Sequence, residues 1–469
     1  MNAIAVLLAA LAALPAPGPA EPQAPPAPPP AVAPPSAPPP AASPRPDPFA
    51  PPEAYGLTGL PPVVTLSLAE ALSEVDRQNP SLEESRARAQ AALGVVRQAE
   101  APLLPTLQAG GGYYHNNASV IVTAPEQGSI RRIYLQPLDA WQANGTLRVP
   151  LVAIDAWVQL SSARDSALAA AASSDATRLA VRTALVQSAW AAWAGDEIVA
   201  ASERAVAAAR EQAESAKRQV EVGTAAPLTV LQAETSATRR ESDLVQARSE
   251  RARARIAVGV LLGRSAPVRI AMPPMPAATR YDVAFLSQEA LDARPELQAQ
   301  AAVVRSFEKQ QSAALWRLAP TIAASGSANA QTVPYPTGDQ AGWRVSVDLV
   351  WTLYDGGYRY GKADQAAAQA SEARATETAT RLQILQDVQN AARDVEVARA
   401  RLSLAESERD TAAEAAASAR RGFKEGVTSS LDVLSANETL FLSEVQVANA
   451  GARLGGALAA LDRAVGRSP

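Results

Sequence analysis

Residues able to do covalent chemistry are scarce in this chain of 469 residues. It holds one histidine, His115, and no cysteine. That composition excludes thiol nucleophiles, disulfides and cysteine-based metal sites, and leaves His115 without a second histidine or cysteine to complete a ligand set. No phosphate-binding glycine loop, nucleophile elbow or metal-ligand spacing occurs, so the chain is read as a non-enzyme with no cofactor. "NGT" and "NAS" fit a glycosylation pattern short enough to recur by chance, and Arg131 and Arg132 are expected in a solvated loop.

The ordered spacing that remains concerns partition between water and lipid. In "GWRVSVDLVWTL", Trp343, Val345, Val347, Leu349, Trp351 and Leu353 alternate with Arg344, Ser346, Asp348 and Thr352. In "WQANGTLRVPL", Trp141, Ala143, Gly145, Leu147, Val149 and Leu151 alternate with Gln142, Asn144, Thr146 and Arg148. Period two over about ten residues is the signature of a tilted membrane strand, and Trp141, Trp343 and Trp351 are expected to mark its aromatic girdles. One further acid, Asp432, stands near an expected helix start, where it complements the helix dipole.

The elements that position these residues occur twice. Pro80 in "NPSL" and Pro105 in "LLPTLQAGG" recur with the same spacing as Pro295 in "RPEL" and Pro320 in "RLAPTIAASG". This points to an internal duplication. Each proline pair brackets a helical stretch, because proline suits a first turn and ends a helix from within. A fainter strand follows, in which Leu107, Ala109, Gly111 and Tyr113 match Ile322, Ala324, Gly326 and Ala328. Polar loops are expected between the strands of each pair, over 118–139 and 331–341.

Beyond the strands run two proline-free helical stretches, 155–222 and 357–425, each about 100 Å long at 1.5 Å per residue. Leu385, Val388, Ala392, Val395 and Leu402 stand at heptad spacing, with Arg399 in the remaining place, and predict a coiled-coil-like wall. Both rods end at a glycine and turn back. "EVGTAAPLTVLQAE" and "KEGVTSSLDVLSANE" align Gly223 with Gly426 and Leu228 with Leu431, as expected for αα-hairpin tips.

The expected organisation is a signal peptide over 1–20 and a Pro/Ala-rich linker over 21–62; from Pro15 to Pro62 the chain places 21 of its 37 prolines. Repeat 1 spans 63–263, with strands at about 106–116 and 141–151 and its tip at 223–228. A linker over 264–280 leads to repeat 2, 281–466, with strands at about 321–330 and 342–353 and its tip at 426–431. Charge is nearly balanced, 43 Lys and Arg against 47 Asp and Glu, so nucleic acid is not an expected partner. After residue 62 no apolar run is long enough for a transmembrane helix.

Four strands cannot close a barrel, and an open edge in lipid leaves backbone groups unpaired. The strands must therefore come from several chains. Two chains supply eight strands, whose interior fills with side chains; three supply twelve and leave room for a channel.

With these features the chain resembles the outer-membrane efflux protein family, the TolC-like channels. The resemblance rests on the proline before each first strand, "LYDGG" at 353–357, the paired tips "VGTAAPLTVLQA" and "EGVTSSLDVLSA", and the closing "AVG" at 464–466. It implies a mainly α fold with a membrane β part: a homotrimer forming a twelve-stranded barrel continued by an α-helical barrel in the periplasm. It also implies an exit duct for efflux or type I secretion, energised by an inner-membrane transporter through a periplasmic adaptor. The adaptor would dock at the tips, on Gly223, Thr224, Leu228, Gly426, Val427 and Leu431.

In this family acidic rings and a tyrosine/arginine network close the tips. Asp432 matches a ring acid, and Phe423 stands where the tyrosine is usual. Thr428 replaces the basic partner, Ser435 a second acid, and Thr229 the acid of the first repeat. The expected gate is therefore thinned to one ring of Asp432. The family's common lipid-anchored N-terminal cysteine is missing, and the long Pro-rich leader is a departure. A soluble periplasmic coiled-coil adaptor or scaffold is the alternative; it would share the helical hairpins but not the alternating strands.

Overall fold

A Ser-x-x-Glu box starts the first helix: Ser67 caps it by accepting from the Glu70 amide, and the Glu70 carboxylate accepts from the Ser67 amide in return. The computed structural model describes residues 61–126, 129–275, 280–333 and 339–468. The expected signal peptide and all but the end of the expected Pro-rich linker lie outside the described residues.

The first half runs β1 (Val64–Ser67), α1 (Leu68–Gln78), α2 (Pro80–Glu100), β2 (Thr106–His115), β3 (Val120–Glu126), β4 (Ser129–Gln136), β5 (Asp139–Val152), α3 (Ile154–Glu221) and α4 (Pro227–Leu261). The second runs β6 (Val268–Ala271), α5 (Val283–Ala293), α6 (Pro295–Trp316), β7 (Thr321–Gln331), β8 (Ala341–Val350), α7 (Tyr358–Lys424) and α8 (Ser430–Val465). Helix pair, strand pair, long helix and returning helix thus occur twice, and the chain is mainly α with a separate β part. None of the described helices is long and apolar enough to cross a membrane.

Pro80 and Pro295 each take the first turn of a helix, as expected, but their caps differ. Asn79 accepts from the amides of Ser81 and Leu82 and donates its own amide to the Leu261 carbonyl at 2.7 Å, tying α2 to the end of α4. Its counterpart Arg294 makes no cap bond and instead bridges Glu296 and Asp387.

β2, β5, β7 and β8 form one antiparallel sheet in that order. Three corrections to the expected strands follow. β8 stops at Val350 rather than 353, because its ladder partner is Thr321 and the next residue back, Pro320, has no N–H to continue it. Leu151 leaves the face assigned to it, since the β5 to β7 register slips between Pro150 and Val152, a bulge at another proline. The expected loop over 118–139 contains a hairpin, β3 against β4, built from the β-branched run Val120 to Val122 facing Ile133 and Tyr134.

The segment 264–280 holds β6, which pairs in parallel with β1 and so joins the start of one half to the start of the other. Ile270 and Val268 of β6 are buried with Val75 of α1, Leu185 and Ala189 of α3, Val258 of α4, and Leu262 just past its end. A matching core in the second half gathers Ala290, Leu297, Ile384, Val388, Val395, Leu454 and Leu461.

The coiled-coil seam of α7 is shifted by one residue at alternate positions from the expected heptad. Val388, Ala392 and Val395 are buried as expected, but Ala391 shares the seam with Ala392, the later core places go to Ala398, Ala405 and Ala412, and Arg399 stands beside the seam. From Val388 to Ala405 valine or leucine thus alternates with alanine along the seam, with small residues allowing close approach.

The halves meet where α3 packs on α8. Trp190 and Trp193, edge to face at 5.5 Å, lie over Gly455 and Gly451, and a Cβ at Gly455 would come within 2.3 Å of the Trp190 indole. Here glycine is needed for room.

Candidate functional site

The sheet has two unlike faces, set by strand parity. One carries Leu107, Tyr113, Trp141, Leu147, Val149, Trp343, Val345, Val347 and Leu349. Trp343 is 80% exposed, Val345 71% and Val347 68%, an apolar surface with no cover among the described residues. Tyr113 and Trp141 are ladder partners, with ring centroids 5.0 Å apart.

The opposite face is polar. Gln108 stands beside Thr146, Arg148 beside Ser325, and Ser346 beside Ser325. The Ser325 and Ser346 hydroxyls each donate to Asp348, and their oxygens lie 2.8 Å apart.

Trp351 lies just past β8 and is held by its indole N–H, which donates to the Leu318 carbonyl at 3.0 Å. It therefore continues the connection to α7 rather than the strand. His115 is not isolated: its Nδ1 is 2.8 Å from Asp139 Oδ1, to which the Tyr113 hydroxyl also donates. From β8 the chain passes through Gly356 and Gly357, and at this junction the buried Arg359 pairs with Asp355 at 2.9 Å and donates to the Arg317 carbonyl.

At the far end of the rods, Gly223 and Gly426 adopt φ of 75° and 76°, a left-handed turn open to glycine that lets each helix end and reverse. The amides of Thr224 and Val427 close the two turns on the carbonyls of Gln219 and Gly422, both at 2.8 Å. Leu228, Leu231, Val427 and Leu431 are exposed. With Leu434 the three leucines line a groove of about 620 Å³ between α4 and α8.

The five residues named for a gate are not joined to one another by any hydrogen bond or ion pair. Asp432 is the third residue of α8 and completes a capping box with Ser429, accepting from both its hydroxyl and its amide. Those two bonds, the hydroxyl foremost, hold its carboxyl below the usual range. Thr428 donates to the Ala419 carbonyl at 2.9 Å and packs on Gly422, stitching the turn. The Thr229 amide donates to Ala226, Ser435 is exposed beside the tip groove, and Phe423 is half-buried.

Above the tips the two hairpins are bolted together by contacts between distant segments. Buried Arg240 of α4 pairs with Glu438 of α8 at 3.1 Å and lies over the Phe441 ring at 4.9 Å. Gln212 of α3 donates to Ser430, and Arg204 pairs with Glu444. Nothing local marks these partners, which are more than 200 residues apart in the last two cases.

The family described as outer membrane efflux protein matches residues 71–264 and 286–467, both halves in turn. The chain belongs to this family. As an outer membrane efflux protein it is a channel-family member of the outer membrane whose helices extend into the periplasm. Its fold is that of solved outer-membrane channels. VceC of Vibrio cholerae is 20% identical, with a TM-score of 0.71 over 86% of this chain and 96% of its own. OprN is also 20% identical, with a TM-score of 0.71 over 85% and 89%. The Campylobacter jejuni CmeC channel is 14% identical, with a TM-score of 0.71 over 85% of both chains. No curated protein sequence matches the chain. In this efflux protein the two-faced sheet is the membrane part and the long hairpins are the periplasmic part.

Proposed function

We propose that this protein is the exit duct of a tripartite export assembly: a homotrimer whose twelve strands form a barrel and whose hairpins form a helical tunnel. The duct is passive; an inner-membrane transporter supplies the energy through a periplasmic adaptor. The observation that carries this reading is the four-stranded sheet itself. One face is apolar and uncovered, and β2 and β8 each lack a partner on one side among the described residues. Lipid can cover the face, and only another copy's edge strand can satisfy the backbone. A soluble adaptor would have no use for either feature.

The tips are the adaptor-docking surface, since Gly223, Thr224 and Leu228 repeat in Gly426, Val427 and Leu431 and would present six similar turns per trimer. Trp141 and Trp343 belong to the aromatic girdles of the barrel, with Trp351 at the rim nearer the helices. Two measurements test the reading. Detergent-extracted protein should run as an oligomer that heat converts to monomer. Single cysteines at Thr224 or Val427 should crosslink a periplasmic protein; crosslinks from Arg132 instead would reverse the orientation.

A further inference from the structure

The polar face of the sheet carries three charged residues, Arg148, Arg344 and Asp348, while no charged side chain interrupts the apolar run on the other face from Leu107 to Tyr113 or from Trp343 to Leu349. Register puts Arg148 on one rung with Ser325 and Ser346, and Arg344 on the next with Ser327 and Thr146. The backbone positions of the two arginines are therefore about 7 Å apart along the strands and about 10 Å across them. Between their rungs, on the outer face, lie Leu147, Gly326 and Val345. The pair is thus level with the middle of the apolar band.

Neither arginine has an ion-pair partner among the described residues, and both are exposed. Asp348, the only acid on this face, accepts from Ser325 and Ser346 and makes no ion pair with either arginine. Two uncompensated guanidiniums against one carboxylate leave the face positive. Because arginine stays charged at all accessible pH, the excess is permanent.

Resting on the trimeric duct reading, we infer that Arg148 and Arg344 form a positive belt around the barrel lumen that selects for anionic solutes at the exit. Three copies bring six guanidiniums to nearly one level of a water-filled bore. Fixed charge of one sign in a low-dielectric wall concentrates counter-ions locally and repels co-ions. The belt lies at the opposite end of the duct from Asp432, so an anion passes an acid at the tip and a basic zone at the exit.

The chain's lack of cysteine allows a direct test in reconstituted trimers. Ser327→Cys, beside Arg344, is exposed to an anionic sulfonatoethyl methanethiosulfonate and to a cationic trimethylammonioethyl methanethiosulfonate, each rate normalised to that with a free thiol. The anionic reagent should react severalfold faster. The preference should vanish in Arg148→Gln/Arg344→Gln, survive in Arg148→Lys/Arg344→Lys, and grow in Asp348→Asn. It should also fade between 0.1 M and 1 M salt, as the Debye length falls from about 10 Å to about 3 Å. Equal normalised rates at low salt, or a preference indifferent to the double glutamine variant, would overturn the belt and leave the duct standing. If Val345→Cys were labelled and Ser327→Cys were not, the faces would be reversed and both readings would fall.

Discussion

At the scale of single residues, Asp432 shows how one carboxylate can serve two ends. Within the chain it caps α8 through Ser429, and that bonding favours its ionised form. At a trimer axis, three such carboxylates would repel one another or hold a cation between them. Asp432→Asn keeps an oxygen for the cap and loses the charge. It should therefore lower cation selectivity and weaken block by divalent or trivalent cations in planar bilayers without impairing assembly. Unchanged block in assembled trimers would leave Asp432 a capping acid alone. Gly455 and Gly456 give a contrasting pair on α8. Alanine at Gly456 meets only Gln187 at 3.8 Å and should gain up to about 1 kcal/mol from helix propensity. Alanine at Gly455 collides with Trp190 and should cost a net ~1–3 kcal/mol. Melting temperatures moving in opposite directions would bear this out; two equal shifts would mean that Trp190 gives way.

At the scale of elements, the strongest statement is that parity assigns the sheet's faces. Val347 and Ser346 are chain neighbours on opposite faces. Arginine at Val347 should cost about 2–4 kcal/mol of barrel stability near the bilayer midplane, seen as loss of the heat-modifiable oligomer. At Ser346 it should be tolerated. The alternation that supports this was legible in the sequence because a strand buried on one side must repeat every second residue. The β3 and β4 hairpin was not, since its apolar residues fall on both faces and the period is blurred. β1 and β6 were not, because four residues carry no period at all. In α7 the spacing announced a seam, but alanine is small enough to suit core and surface alike, so Ala398 and Arg399 could not be ranked without the neighbouring helix.

At the scale of the molecule, ion pairs between distant segments fasten the helical bundle. Asp76 of α1 receives Arg178 at 2.5 Å and Arg182, both from α3. Burial works against its ionisation, but the hydrogen bonds from the two arginines outweigh it and hold the carboxyl down to about 2. A depressed carboxylate stabilises the fold fully above its unfolded value near 4 and stops doing so as pH falls through the folded one. Acid unfolding followed by circular dichroism should therefore show Asp76→Asn about 1 kcal/mol less stable than the parent at pH 6, with the gap closing between pH 4 and pH 2. A gap that persists at pH 2 would trace the loss to packing.

The sequence by itself determined the mainly helical class, the tandem duplication and the presence of membrane strands between rods and returning tips. These are consequences of short-range rules: period two or three and a half, proline at helix starts, glycine where a helix reverses. The tertiary structure alone decided where β8 ends, which alanines fill the seam, that β6 closes on β1, and that Arg240 finds Glu438. It also decided that Arg148 and Arg344, 196 residues apart, fall on adjacent rungs of one face. Each of these depends on register between segments far apart in the chain, and register is set by the packing of many side chains at once.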